Sequence, residues 1–266
     1  MPTYNEADNI VRLLDLIYGK ENRAFYLKKN IVIEVLVVDD NSPDGTASQV
    51  LQYMEKSTKV HLLSRTKKEG LGAAYIAGIQ HALTEIKPDI LFEMDADMSH
   101  NPKYISRMIM GILDGADLVI GSRYTKNGSV PYNWGLVRKL VSSTANTYAR
   151  LLLGIFDVKD CTGGFRAIRA SLLQKIDLNS LSVKGYAFQI SLLHAILRNN
   201  GIVREIPIDF NNRISGKSKM RIRDIIEVGL TVLKISLQKL FIHAPAVETG
   251  ESVYEDAEET ATTVKT

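Results

Sequence analysis

The stretch FEMDADMSHNP, residues 92–102, starts as a buried strand and ends as a polar turn. The apolar run that opens at Ile90 is broken by Asp95 and Asp97. Asn101 followed by Pro102 then reads as a helix start, with a capping side chain and proline in the first turn. The same handover recurs along the first half of the chain. IVIEVLVVDD (31–40), KVHLLS (59–64), DILFEMD (89–95) and DLVIGS (117–122) read as strands rich in Val, Ile and Leu. Between them NIVRLLDLI, ASQVLQYMEK, GAAYIAGIQHALTEI and PKYISRMIMGIL repeat apolar residues at three and four, the helical spacing. Alternation of this kind predicts an α/β fold with a mostly parallel central sheet flanked by helices.

Beyond residue 130 the helices lengthen, in WGLVRKLVSSTANTYARLLLGI and FQISLLHAILRNNG, with one further strand at GIVREIPIDF. No strand-like run precedes PTYNE, although a sheet of this type usually leads into such a loop from a strand. Either the sheet lacks an edge there or the sequence starts inside a longer chain.

With 266 residues, 45% hydrophobic and 24% charged, the chain is expected to fold around one principal domain. The net charge of +3 conceals an asymmetry. Residues 244–266 carry six acids against Lys265 alone, and are small, polar and expected to be disordered. The remainder holds 32 basic and 24 acidic residues, a balance suited to an anionic partner: nucleotide, membrane surface or nucleic acid. Cys161 is the only cysteine, which excludes an intrachain disulfide and a cysteine metal cluster. MPTYNEADN lacks the basic and apolar regions of a secretory signal, and no run of about 18 apolar residues predicts a membrane span.

In open parallel sheets ligands bind beyond the carboxyl ends of the strands. Three polar clusters fall there: DDNSPDGT (39–46), DADMSH (95–100) and GSRY (121–124). Turn chemistry explains any one of them, but three at successive strand ends point to a site. Two acids in Asp-x-Asp offer hard oxygen donors for Mg2+ or Mn2+, which bind through carboxylates, phosphates and water. Gly70 and Gly72 bracket a helix start whose free amides suit an anion, or make an ordinary turn. NRISGKSKMRIR places five basic residues between 213 and 223 without an acid, a loop able to close over a charged donor. It has neither interleaved aromatics nor a recognition-helix pattern, so nucleic acid is not the expected partner.

Taken in order, PTYNEADN, VVDDNSPDGT, RTKKEGLGAAY, MDADMSHNP, GSRY, CTGGFRA, KGYAFQ and NRISGKSK resemble the dolichol-phosphate mannosyltransferases of glycosyltransferase family 2. The resemblance spans residues 2 to 220 and implies a GT-A catalytic domain over residues 1–220. It implies transfer of mannose from GDP-mannose to a dolichyl or other polyprenyl phosphate, with inversion and a divalent metal. Pro2, Tyr4 and Glu6, with Val38 and Asp40 beside the base and Lys68 facing them, would bind the donor nucleotide. Asp95 and Asp97 would hold the metal and diphosphate, Ala96 approaching through its backbone and Ser99 completing the metal site. Arg123, Arg213 and Lys219 would gather around the phosphates. Asp97, Asp95 and Arg123 carry catalysis on this reading, and Asp97 is expected to be indispensable. Structural alternatives exist for single positions: Tyr4 as a packed aromatic, Glu6 as a helix cap, Lys68 as part of a basic turn.

One departure is Ser191, where members often carry glutamate two residues after the glutamine, here Gln189. His100 is expected beside the metal motif in a supporting role, and Cys161 as a small buried residue. The same chemistry would serve a polyprenyl-phosphate glucosyltransferase using UDP-glucose. A non-catalytic nucleotide-sugar binding module is the rival from a different class. A lipid acceptor requires a membrane surface. Residues 221–243 form an amphipathic interface helix on this reading, 135–156 suit the same use, and burial of both against the sheet is the alternative. The expected location is peripheral, on the cytoplasmic face of a membrane, with a membrane-anchoring partner subunit as the other route.

Overall fold

The computed structural model describes residues 1–131, 134–181, 187–211 and 222–239. Its elements run β1 (Pro2–Thr3), α1 (Ala7–Ile17), α2 (Lys20–Lys29), β2 (Val35–Asp39), α3 (Thr46–Met54), β3 (Val60–Ser64) and α4 (Leu71–His81). They continue with β4 (Ile90–Glu93), α5 (Ile105–Leu113), β5 (Leu118–Ser122), α6 (Leu136–Leu153) and β6 (Arg166–Arg169). The last are α7 (Ala170–Leu173), α8 (Ala187–Arg198), β7 (Val203–Pro207) and α9 (Ile222–Lys239). The four long strands read from sequence are β2 to β5, each a residue or more shorter than its apolar run. Pro2 and Thr3, read as loop, pair with Val38 and Asp39 in parallel and so make a short strand themselves.

The strands form two ladders, in orders β1-β2-β3 and β4-β6-β5-β7. Pairing is parallel throughout the first and between β5 and β7, while β6 runs antiparallel to both of its neighbours. Two elements escape the sequence reading for physical reasons. In α2 only Asn22 and Tyr26 are buried, so it lacks the apolar stripe that reveals a helix. In β6 the sequence is RAIR, and a sheet centre flanked by arginines does not look like a strand.

Strands buried on both faces need apolar side chains throughout. In β5, Leu118 and Ile120 join one core with Phe188 and Leu193 while Val119 joins the other with Leu13 and Met108. Burying each contributes roughly 1.5–3 kcal/mol. In α1 the buried residues are Ile10, Leu13, Leu14 and Ile17, and in α5 Ile105, Met108, Ile109 and Ile112. That spacing turns one stripe of each helix onto the sheet.

Arg166 explains how an arginine can occupy the middle of a sheet. It is fully buried and donates to the carbonyl oxygens of Gly163 (2.8 Å), Gln189 (2.7 Å) and Cys161 (2.9 Å). Those bonds tie β6 to α8 and to the loop ahead of it. Replacing Arg166 with methionine takes the guanidinium donor from three carbonyls and the cationic neighbour from Glu93. Urea unfolding is expected to show a loss of about 3–5 kcal/mol, as when one partner of a buried ionic contact is removed.

Candidate active site

The site assembles where loops leave β1, β2, β4 and β5. The first two loops lace into each other. Thr3 Oγ1 donates to Asp39 (2.9 Å), the Asn5 N–H to Ser42 Oγ (3.0 Å), the Glu6 N–H to Thr46 Oγ1 (3.0 Å) and the Ala7 N–H to Asp44 (3.0 Å). Several acids in DDNSPDGT therefore hold backbone, satisfying amides at the starts of α1 and α3. Asn5, Asn41 and Met98 adopt left-handed backbone, with φ of 59°, 57° and 67°. For Met98, inside DADMSH, this is a conformation rarely taken by a long side chain.

Two groups of the expected residues come together. In the first, the Lys68 ammonium lies 3.6 Å from the centre of the Tyr4 ring, a cation–π contact. Asp40 is paired with Arg65, which also bonds Glu69 at 2.6 Å. Burial raises the Asp40 carboxyl above its ordinary value, and Arg65 works against that rise. Glu6 stands at the N-terminal cap position of α1 without a side-chain capping bond, and its carboxylate accepts from the Asn9 side chain at 2.9 Å. Val38 lies inside the sheet: its side chain is buried and faces Gly78 of α4, where an added Cβ would come within 2.8 Å.

In the second group, Asp97 Oδ1 accepts from both the N–H (3.1 Å) and the hydroxyl (2.6 Å) of Ser99. Ser99, expected at the metal, thus acts on Asp97 and fixes its carboxylate. Tyr75 Oη donates to Asp95 at 3.1 Å, and the Asp95 N–H donates to His100 Nδ1 at 3.0 Å. His100 is buried, stacked on Phe165 at 5.0 Å, and burial lowers its pKa against the pull of Asp95 and Asp97. It is a neutral supporting group, as the sequence suggested. Ala96 is buried between the two acids.

Arg123 is held by a partner that sequence reasoning missed. Its Nε and Nη2 donate to Asp160 at 2.7 Å each, Nη2 also reaches Thr162 at 2.8 Å, and its N–H donates to Asp160 at 3.0 Å. Burial alone would raise the Asp160 carboxyl, yet Arg123 holds it below the usual range. The signal lay in DCTGG, whose aspartate was passed over for its neighbours. Cys161 is fully buried, and burial pushes its thiol up to about 12. Gly70 caps α4 with φ of 104°, as the glycine pair implied.

Arg213 and Lys219 lie outside the described residues, as do residues 240–266 with the expected tail. The chain nevertheless approaches the basic loop at the site, because the Asn211 N–H donates to the Ser99 carbonyl at 3.1 Å. Gln189 and Ser191 are buried; the Gln189 amide lies against Glu93, and the Ser191 hydroxyl has no hydrogen-bond partner among the described residues. Among those residues no cluster of three or more His, Cys, Asp or Glu could hold a metal. Two carboxylates still suit Mg2+ or Mn2+, which take one or two from protein and complete their shell with phosphate and water.

The sheet and its flanking helices are of the GT-A type, and with the family match that follows they make the chain a glycosyltransferase. Residues 1–177 match the family described as Glycosyl transferase family 2, and the chain belongs to that family. It is 44% identical over 233 residues to the polyprenol monophosphomannose synthase of Mycolicibacterium smegmatis, covering 87% of this chain and 83% of that protein. It is 41% identical over 220 residues to the undecaprenyl-phosphate mannosyltransferase of Micrococcus luteus, covering 83% and 85%. Among solved structures, a mannosyltransferase from Pyrobaculum calidifontis in complex with GDP-Man and Mn2+ aligns with a TM-score of 0.55 at 19% identity, over 92% of this chain and 64% of that one. The last likeness concerns the fold.

Behind the acid pair, Glu93 is fully buried beside Arg166 and the Gln189 side chain. Burial raises its pKa from 4.5 to about 7, with Arg166 opposing. The folded state therefore binds the Glu93 proton more tightly than the unfolded one, so this contribution is complete below pH 4.5 and is lost as pH rises through about 7. Against a Glu93→Gln variant, the native chain is expected to lose stability across that window and to run parallel above it. Thermal melts of both proteins over the same buffers measure the difference.

Proposed function

We propose that the protein transfers mannose from GDP-mannose to the phosphate of a dolichyl or other polyprenyl phosphate, in one inverting, metal-dependent displacement at a membrane surface. The observation that carries this reading is the acid pair at the end of β4, with Asp97 oriented by Ser99 and Asp95 by Tyr75, in a chain 44% and 41% identical to relatives named for mannosyl transfer to polyprenyl phosphate.

A phosphate monoester, with a second pKa of ~6, is already ionised near neutral pH and needs no strong base. The site agrees: His100 is buried, neutral and accepts the Asp95 N–H through Nδ1. The remaining tasks are in-line positioning and stabilisation of the departing GDP. Asp95 and Asp97 would hold Mg2+ or Mn2+, which when bound offsets the diphosphate's charge. Tyr4 with Lys68 and Asp40 would flank the nucleotide, together with Pro2, Glu6 and the backbone around Val38 and Ala96. Asp160 fixes Arg123 while its Nη1 has no hydrogen bond among the described residues, leaving that edge for a phosphate oxygen. Arg213 and Lys219, on the loop that starts beside Ser99, would add cations.

Membrane contact has support in α6 and α9, which pack together through Tyr148 Oη on the Gly229 carbonyl (3.2 Å) and Ser236 Oγ on the Leu152 carbonyl (3.0 Å). Val228, Val232 and Ile235 turn inward, as the burial reading expects, and the opposite face of α9 is the one a membrane interface would use. Ile226, Leu230, Leu233 and Leu237 are exposed, as are Leu136, Leu140 and Leu151 of α6, with Arg138, Lys139, Arg150 and Lys234 on the same two helices. Among the described residues no helix is long and apolar enough to cross a membrane. This surface is suited to peripheral attachment, which for a GDP-mannose enzyme would be on the cytoplasmic face.

Asp97→Ala is expected to abolish mannosyl transfer to dolichyl phosphate, by ~10²-fold or more, while circular dichroism and melting stay close to native. Excess chelator should do the same reversibly; full turnover in chelator refutes the metal. UDP-glucose in place of GDP-mannose tests the glucosyltransferase rival, and binding without turnover of either donor tests the binding module. In flotation with anionic liposomes, Leu230→Glu with Leu237→Glu should release the protein without changing its solution fold. Unaltered flotation removes α9 from the contact.

A further inference from the structure

α6 buries Asn146, Ala149 and Leu153 and exposes Leu136, Leu140 and Leu151. An asparagine on that buried stripe is unfavourable on two counts. It is a weaker helix former than alanine or leucine, and its amide is costly to bury without partners. The partners are specific. Asn146 Nδ2 donates to the Ser142 carbonyl and to Thr162 Oγ1, both at 3.2 Å, and Oδ1 accepts from the Thr162 N–H at 3.2 Å. Turning the amide over would set its NH2 group against the Thr162 N–H, so a single orientation bonds Thr162 twice.

Thr162 carries the effect to Arg123. Its hydroxyl oxygen accepts from Arg123 Nη2 at 2.8 Å and from Asn146 Nδ2, which fills both lone pairs and leaves its proton for Asp160 Oδ1 at 3.3 Å. Nη2 also donates to Asp160 Oδ1, so both of its hydrogens have acceptors. One turn earlier on α6, Ser142 Oγ accepts from the Tyr124 hydroxyl at 2.7 Å, and the helix thereby holds the residue after Arg123 as well. The turn that carries Asp160 has its own support: Glu205 of β7 accepts from the Lys159 and Asp160 N–H groups at 2.8 Å each. Loss of the Asn146 amide would therefore release the Thr162 hydroxyl while that turn stays in place.

We propose that Asn146 is a positioning residue, which fixes the Thr162 hydroxyl and through it the guanidinium of Arg123. Its consequence for the reaction rests on the phosphate role proposed above for Arg123. In water a guanidinium samples many orientations, and here a helix, a hydroxyl and a carboxylate restrict it to one before any substrate arrives.

The test compares the native chain with Asn146→Ala, Asn146→Leu, Thr162→Val and Thr162→Ser, and uses Arg123→Lys to identify the Arg123 Nε–H signal in heteronuclear NMR spectra. Asn146→Ala, Asn146→Leu and Thr162→Val are expected to speed solvent exchange of that proton by ~10-fold, the worth of about one hydrogen bond, while Thr162→Ser keeps the native rate. Mannosyl transfer to dolichyl phosphate should fall ~10-fold or more in the first three and stay close to native in Thr162→Ser, with circular dichroism unchanged. Asn146→Leu keeps α6 filled if the smaller alanine unsettles it. Native exchange and native transfer in Asn146→Leu would make the residue a packing element only and overturn the proposal. So would faster exchange with undiminished transfer. A native chain that transfers no mannose would instead refute the proposed function, and the Arg123 exchange rates alone would then uphold or overturn the role of Asn146.

Discussion

A buried ion pair, Arg123 with Asp160, is the contact around which the catalytic end of this fold is organised. Two guanidinium bonds and one backbone N–H converge on a single carboxylate with no exposure, joining the loop after β5 to the CTGG loop ahead of β6. Desolvating both charges is costly, and only geometry this complete offsets the cost. The pair also sets the local field. His100 lies among Asp95, Asp97, Arg123 and Asp160, so the acid pair has a fixed positive neighbour while the imidazole stays neutral.

The acids near the strand ends divide into two kinds by what they touch. Asp39, Asp44 and Asp160 accept from amides, hydroxyls or a guanidinium and serve as scaffold. Asp95 and Asp97 accept from the Tyr75 hydroxyl and from the N–H and hydroxyl of Ser99, so neighbouring donors orient both carboxylates at the end of β4. On the proposed function, such an arrangement would lower the reorganisation needed as charge develops on a departing diphosphate.

Distance between functions is bridged by the loop beyond β7. Tyr104 and Ser129 both donate to Asp209, and Asn211 reaches the Ser99 carbonyl, so the segment that leads into the basic stretch is anchored on the acid-pair loop itself. From there the chain passes to α9, whose inner face packs with α6 and α8 and whose outer face is apolar.

By itself the sequence determined the α/β class, the strand positions to within a few residues, and the polar clusters beyond them, because buried strands must be apolar and their loops polar. Family membership was legible in the same clusters. What the sequence left undecided was partnership. Nothing in DCTGG announces that its aspartate takes Arg123, nothing in RAIR announces a central antiparallel strand, and nothing in DADMSH announces that the Ser99 hydroxyl donates to Asp97. Those facts depend on which groups meet after chain segments far apart are packed, where burial makes every polar group choose a partner. Tertiary structure alone decided those choices.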